Sequence, residues 1–253
     1  MLPQERYPLI LKLFETKNVV RLEDLTVAFN ISVETARRDF TFLEKQGLIK
    51  KIYGGATLAG NKVNREMLFA DKLGKNRTEK ELIGQRCNEL IHDGDTVFLE
   101  VGTTVLQVAK AIRHRQNLTI ITNSIFVINE LIGSKLNLYV SGGQLRHNEQ
   151  AISGSIAISE LAHFNINKAV ISAGAISVEN GLSDYSLDEA RMRRKLIERA
   201  NQSILVVDSS KFGEDATFQV CPLSEISTII TGKTIDENTL TELKKTCSDI
   251  QLV

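Results

Sequence analysis

The chain carries no surplus charge of either sign: across 253 residues, 31 lysines and arginines meet 31 aspartates and glutamates. No global field gathers polyanions around it, so any nucleic-acid surface must be a local patch. Cysteine is scarce. Cys87, Cys221 and Cys247 are odd in number, widely separated and without CxxC spacing, which excludes a disulfide framework and offers no zinc site. They read as reduced, structural thiols. His92, His114, His147 and His163 show no ligand spacing either, so no metal and no cofactor is expected. Long apolar runs are also missing. The start, "MLPQERYPLI", has no basic segment leading into an apolar stretch, and no later window approaches bilayer length. The expected location is the cytoplasm.

What is present is 42% hydrophobic content, enough for one α/β domain and a small companion. The composition changes near residue 57. Before it, "LILKLF" sets Ile10, Leu11, Leu13 and Phe14 at helical spacing, and "LEDLTVAF" does the same with Leu22, Leu25 and Phe29. After it, "AGNKVNREMLFADKLGKNR" has no sustained period and reads as a linker. From Thr78 the pattern becomes regular. Thr78 and Glu81 have capping-box spacing, and Leu82, Ile83, Cys87 and Leu90 form an apolar stripe. Six short β-branched runs follow, "DTVFLEV", "NLTIIT", "LNLYVS", "KAVISAG", "SILVVD" and "STIIT", with helical segments such as "TTVLQVAKAI" and "SIFVINELI" between them. Such alternation predicts an α/β fold with a mainly parallel sheet.

In the amino-terminal part, "SVETARRDF" places Ser32 as N-cap of a helix ending near Gln46, with Gly47 just past it. Val33, Ala36, Phe40 and Leu43 share an arc that must pack on the preceding helices. Arg38 projects opposite, flanked by Glu34, Thr35, Thr41 and Lys45, with Arg37 nearer one edge and Asp39 on the other margin. Arginines on a helix usually form only a solvated face; an outward arginine is also what a recognition helix needs to meet base edges or phosphates in a major groove. "LEDLTVAF" and the turn at Asn30 supply the first helix of a helix-turn-helix pair. "LIKKIYGGATLA" reads as a hairpin carrying Lys50 and Lys51, with Tyr53, Gly54 and Gly55 at its turn, in the position of a wing on the sugar-phosphate backbone. Asp39 either pairs with an arginine or is a surface charge, and Phe42 packs under the wing or stacks outward.

The remainder points to a ligand site. Gly102 permits a tight strand-to-helix turn, with Thr103 and Thr104 beside the free amides of a helix N-terminus, where an anion binds. Thr122, Asn123 and Ser124; Ser141, Gly142 and Gly143; and the segment from Asp208 and Ser209 through Lys211 to Gly213 follow other strands. Small polar residues at the carboxyl ends of parallel strands line the crevice of an open α/β sheet. Each is weak alone, since a glycine after a strand more often makes a turn. Glu189 stands three residues after Ser186, so it can simply cap a helix.

"ERYPLILKLFETKNVVRLEDLTVAFNISVETARRDFTFLEKQGLIKKIYGGATL" resembles the DeoR-type winged helix-turn-helix, on Ser32, Thr35, Ala36, Arg37, Arg38, Asp39 and Phe40 and on the wing with its paired glycines. "FLEVGTT", "TNS", "SGG", "GLSDYSLDEA" and "ILVVDSSKFG" resemble the blocks of the DeoR effector domain, similar in fold to ribose-5-phosphate isomerase. The resemblance implies a DNA-binding transcriptional regulator, usually a repressor near sugar-metabolism genes, acting as a homo-oligomer, dimer or tetramer, on double-stranded operator DNA. It also implies a phosphorylated sugar or sugar alcohol as effector, near Glu100, Gly102, Thr103, Thr104, Asn123, Gly142, Gly143, Asp184, Asp208 and Lys211. Glu100 stands where members commonly have Asp, and Arg193 where Lys is usual.

The expected organisation is a DNA-binding domain over 1–58, a linker over 59–77 and an effector domain over 78–253. Two other readings stand beside it. One is a sugar-phosphate isomerase in which Glu100 or Asp184 moves a proton and Lys211 stabilises the developing charge. In the other, the small domain binds a protein instead of DNA.

Overall fold

A computed structural model of the chain describes residues 3–17, 19–52, 55–58 and 69–253. It divides into two compact units, Met1–Arg65 and Glu66–Val253.

The first unit runs α1 (Pro3–Thr16), β1 (Val20–Arg21), α2 (Leu22–Phe29), α3 (Val33–Lys45), β2 (Ile49–Ile52) and β3 (Gly55–Leu58). Asn30 turns the chain from α2 to α3 in the left-handed conformation at φ 49°. Ser32 then caps α3, its Oγ accepting the Thr35 amide at 3.1 Å, which satisfies one of the donors a helix start leaves open. Ile10, Phe14, Leu25, Ala36, Phe40, Leu43 and Ile49 form the core. Val33 does not join them and is 48% exposed, contrary to expectation, because the first helical position overhangs the cluster that begins at Ala36. The strands pair antiparallel in the order β1-β3-β2. Gly55 faces Arg21 across β1 and β3; a Cβ there would lie 2.6 Å from the Val20 carbonyl oxygen, so only glycine lets the strands approach.

The second unit comprises α4 (Phe69–Leu73), α5 (Arg77–Glu89), β4 (Thr96–Leu99), α6 (Thr103–Ile112), β5 (Thr119–Thr122), α7 (Ile125–Leu131), β6 (Asn137–Val140), β7 (Gln144–Arg146), β8 (Ala151–Ser153), α8 (Ser155–Glu160), β9 (Lys168–Ile171), β10 (Ala175–Ser177), β11 (Gly181–Asp184), α9 (Leu187–Arg199), β12 (Gln202–Val206), β13 (Phe218–Cys221), β14 (Thr228–Thr231), α10 (Glu237–Thr246) and β15 (Ile250–Leu252). Seven strands form one parallel sheet in the order β15-β14-β12-β9-β4-β5-β6. Its central strands are largely apolar because both of their faces are covered. Val97, Leu99, Ile120, Val170, Ile204 and Val206 meet α5, α6 and α7 on one face; Phe98, Ile121, Ile171 and Leu205 meet α8, α9 and α10 on the other. The strand order reverses between β4 and β9, so the loops after these neighbours part and open a crevice at their carboxyl ends.

Helix α5 departs from expectation. It starts at Arg77 behind Asn76, which makes no side-chain cap, and Glu81 pairs with Arg77 at 2.8 Å, so Thr78 and Glu81 form no capping box. Leu82 is exposed, and the buried stripe is Lys80, Ile83, Gly84 and Cys87. At Gly84 a Cβ would stand 2.7 Å from the Gln107 backbone, so α5 and α6 meet main chain to main chain. The stretch expected as linker contains α4, where Phe69 is buried and stacks on Phe126 with ring centroids 3.9 Å apart. A five-residue helix is too short to show a period, and its aromatic anchor is remote in sequence. No helix among the described residues is long and apolar enough to cross a membrane.

Candidate DNA interface and effector site

On α3, Arg38 is strongly solvent-exposed, with 81% of its side chain accessible; Arg37 and Glu34 are at 65%. The Glu34 carboxylate lies 3.9 Å from Arg37 and 4.0 Å from Arg38, distances at which exposed pairs contribute little. Both guanidiniums are therefore available. Asp39 faces the other way: Arg6 donates to it from Nε at 2.6 Å and from Nη2 at 2.9 Å, both side chains being buried. The acidic member of the Arg-Arg-Asp run is thus neutralised inside the unit, and the arginines alone face out. Phe42 stacks on Tyr7 at 4.5 Å, which fixes its direction toward α1.

Lys45, Lys50 and Lys51 are exposed on the same unit. Lys51 ties hairpin to helix: its amide donates to Glu44 at 3.0 Å and its Nζ reaches Glu44 at 3.0 Å and Thr41 Oγ1 at 3.2 Å. The Lys51 amide first, and its ammonium second, hold the Glu44 carboxyl below the usual range. Ser32 and Thr35 are joined hydroxyl to hydroxyl at 2.9 Å, and the Thr41 hydroxyl donates back to the Arg37 carbonyl at 2.8 Å. Gly55 is buried against β1, while Tyr53 and Gly54 lie outside the described residues.

In the second unit, Lys80 and Lys211 stand by Asp208 beyond the carboxyl end of β12, and Lys72, whose charge both of them feel, is paired with Glu149 at 2.6 Å. Lys80 on α5 approaches it at 3.7 Å, both side chains buried, and donates to the Lys72 carbonyl at 2.7 Å. Lys211 reaches the Gly174 carbonyl at 3.3 Å, and Asn76 donates to Asp208 at 2.7 Å. Burial pushes the Lys211 pKa down, with the charges of Lys72 and Lys80 adding to it against Asp208 and Asp184. Burial likewise lowers Lys80. Burial alone works to raise Asp208, but hydrogen bonds from Ser210 and Asn76 and the charges of Lys80 and Lys211 prevail and hold it low.

Beside the cluster, Arg193 donates to Glu100 at 2.9 Å and to Asp184 at 2.6 Å, all three side chains being almost fully buried. Burial would lower Arg193, but the two carboxylates hold it firmly charged. Burial raises Glu100 against the pull of Arg193. Its Oε2 also accepts the Ser172 amide across the β4–β9 divide at 3.1 Å, while Oε1 is buried without a partner. The same holds for Asn123 Oδ1 and Ser141 Oγ. These three residues each follow directly on β4, β5 and β6, so neighbouring strands end in a row of unsatisfied polar atoms. Each such atom costs about 1–3 kcal/mol if nothing meets it.

Gly102 makes the turn into α6, where a Cβ would meet Ser172 at 2.8 Å, and Thr103 and Thr104 open the helix with their amides beside this row. The other expected residues have internal duties. The Thr122 hydroxyl donates to the Leu99 carbonyl at 2.7 Å, and Ser124 caps α7. Gly143 packs under Ser153 and Ala157 and Gly142 under Ile156. Ser209 is bound to Glu79, amide to carboxylate at 2.7 Å, and its hydroxyl to Thr234 at 2.7 Å. Ser186 caps α9 by accepting the Glu189 amide, and the Glu189 carboxylate takes Arg146 at 2.5 Å.

Residues 6–62 match the DeoR-like helix-turn-helix domain, and residues 75–233 match the DeoR C terminal sensor domain. The chain belongs to the DeoR family. It is a DNA-binding transcriptional regulator and not an enzyme. It is 31% identical to the putative aga operon transcriptional repressor of Escherichia coli O157:H7 over 98% of this chain and 93% of that protein. It is 31% identical to the glycerol-3-phosphate regulon repressor of Escherichia coli (strain K12) over 90% of each. The ribose 5-phosphate isomerase A of Methanocaldococcus jannaschii superposes with a TM-score of 0.42 at 15% identity, covering 55% of this chain and 56% of that one.

For a DeoR-family chain, the residues that sequence reasoning missed are Lys72, Lys80 and Asn76. Lys72 and Asn76 fell inside the presumed linker. Lys80 left a legible sign: it stands three and four residues before Ile83 and Gly84 and seven before Cys87, a lysine on the buried stripe of its helix.

Proposed function

We propose that this DeoR-family regulator is a cytoplasmic repressor of a carbohydrate-metabolism operon, acting as a homo-oligomer, and that a phosphorylated sugar or sugar alcohol modulates its affinity for a double-stranded operator. The observation that carries the reading is the pairing of two features at the carboxyl ends of the strands: the buried Lys80 and half-buried Lys211 beside Asp208, and the row of unsatisfied atoms at Glu100, Asn123 and Ser141. The first suits a phosphate, the second suits hydroxyls. The α6 amides behind Gly102 add a helix N-terminus for the anion.

In this reading Arg38 and Arg37 enter the major groove on α3, with Ser32, Glu34, Thr35, Thr41 and Lys45 around them. Lys50, Lys51, Tyr53, Gly54 and Gly55 form the wing along the backbone. Glu100, Gly102, Thr103, Thr104, Asn123, Asp184, Asp208 and Lys211, joined by Lys72 and Lys80, hold the effector, while Thr122, Ser124, Gly142, Gly143, Glu189 and Ser209 shape the surrounding loops. The ligand changes DNA affinity only by binding one state better than the other. A gel shift on DNA upstream of its own gene, across phosphorylated sugars and their unphosphorylated parents, tests this. Mobility changed only by a phosphorylated member supports it; a complex indifferent to all of them counts against it.

A further inference from the structure

The seven-stranded sheet treats its two edges differently. At one end β15 is half-buried along its length, and Gln251 is held by Arg86 at 2.8 Å. At the other, β6 pairs only with β5. The strand is short, but proline, charge and bulge are all missing from it: residues 137–140 contain no proline and no charge, and their register with β5 is unbroken. The Asn137 and Ser141 amides donate inward to β5, so the alternation of a parallel ladder turns the amides and carbonyls of Leu138 and Val140 outward.

Apolar surface gathers at this edge. Among the described residues, five of the unit's eight exposed large hydrophobics lie between positions 132 and 156: Ile132 at 61%, Tyr139 at 46%, Val140 at 47%, Leu145 at 43% and Ile156 at 61%. Tyr139 and Val140 lie on β6 itself, and the other three on the segments just before and after it. Exposed polar neighbours such as Asn137 and His147 extend this surface toward the roughly 800 Å² a side of a standard interface.

We infer that β6 is the seam between two copies of this chain, paired antiparallel about a two-fold axis at Tyr139. A second copy fits because a two-fold places the same patch on both partners, and an uncharged apolar edge is complementary to itself. The register follows from the hydrogen-bonding groups. Setting Leu138 opposite Val140 of the second copy, and Val140 opposite its Leu138, uses every outward amide and carbonyl in about four bonds, and brings the two Tyr139 residues face to face at a non-hydrogen-bonded position. The inference deepens the homo-oligomer reading above and rests on it; the effector's identity plays no part.

Two measurements on the full chain test it. In multi-angle light scattering the wild type has at least twice the chain mass, and Val140→Lys, a charge on the edge, lowers that mass by a factor of two at equal concentration with the melting temperature kept. Because Cys87, Cys221 and Cys247 are buried, Tyr139→Cys gives a clean probe: facing residues at such a position lie about 4.5 Å apart, within disulfide range, so mild oxidation yields a covalent dimer, whereas Asn137→Cys does not. A monomeric wild type overturns the oligomer reading together with the seam. An oligomer whose mass Val140→Lys leaves unchanged, or one that gives no Tyr139→Cys cross-link, overturns the seam alone.

Discussion

Arg6 grips Asp39 with two parallel hydrogen bonds, 2.6 and 2.9 Å long, inside the core of the first unit. A residue near the start of α1 thereby sets the rotation of α3 about its axis. Asp39→Ala strips the buried Arg6 guanidinium of its carboxylate, so the unit loses about 3 kcal/mol and DNA binding falls with it, although Asp39 faces inward and not toward the DNA. Chemical denaturation followed together with operator binding checks this; stability equal to wild type would show that the pair holds nothing.

Arg38 has no such internal commitment. Arg38→Ala leaves folding intact and, if the guanidinium meets a base pair, costs about 1–3 kcal/mol and relaxes specificity at that position. Lys45→Ala and Lys50→Ala weaken all sequences alike and reduce the salt slope by about one each. Affinity measured against salt on operator and scrambled duplexes separates these effects. A flat salt dependence would favour a protein partner for this unit.

The lysine cluster predicts loss of response without loss of grip on DNA. Lys211→Ala or Lys80→Met removes a charge-assisted contact of about 1.5–3 kcal/mol, so the phosphorylated ligand binds about ten- to hundredfold more weakly, while ligand-free operator affinity stays unchanged. Titration calorimetry paired with gel shifts reads both quantities. Full response in both variants would remove the cluster from the site.

Alkaline pH acts on the same groups. Lys80 and Lys211 have folded-state values lowered by burial from the ordinary lysine 10.5, so the unfolded chain binds these protons more tightly. Their contribution to stability is therefore complete above the ordinary value and is lost as pH falls through the lowered ones. A phosphate dianion reverses the preference: it favours the ammoniums, so its binding takes up protons and weakens as pH rises through the lowered values. Calorimetry in two alkaline buffers of different ionisation enthalpy measures that uptake; identical heats in both would contradict it.

The helix-turn-helix was legible because its signals are local. Ser32, Gly47 and the Ala36, Phe40, Leu43 arc all act within one or two turns. Six of the seven strands of the parallel sheet announced themselves through β-branched runs, and β15, with one polar residue in three, did not. Thr78 misled because capping-box spacing recurs inside helices, and Val33 because a helical wheel ignores where the neighbouring helices stop. The Arg193 clamp on Glu100 and Asp184, and the meeting of Lys72, Lys80 and Lys211, join segments up to the length of the domain apart. Such contacts are written in topology and not in spacing.

The missing side chain at Gly84 has a consequence for selectivity. With α5 and α6 pressed together at that point, the ammonium on one helix and the amides opening the other cannot drift independently, so in the proposed effector site the crevice would act as a gauge of fixed span. A ligand is then sorted by its reach from phosphate to hydroxyls, too short a carbon chain bridging neither wall and too long a one finding no room to bend.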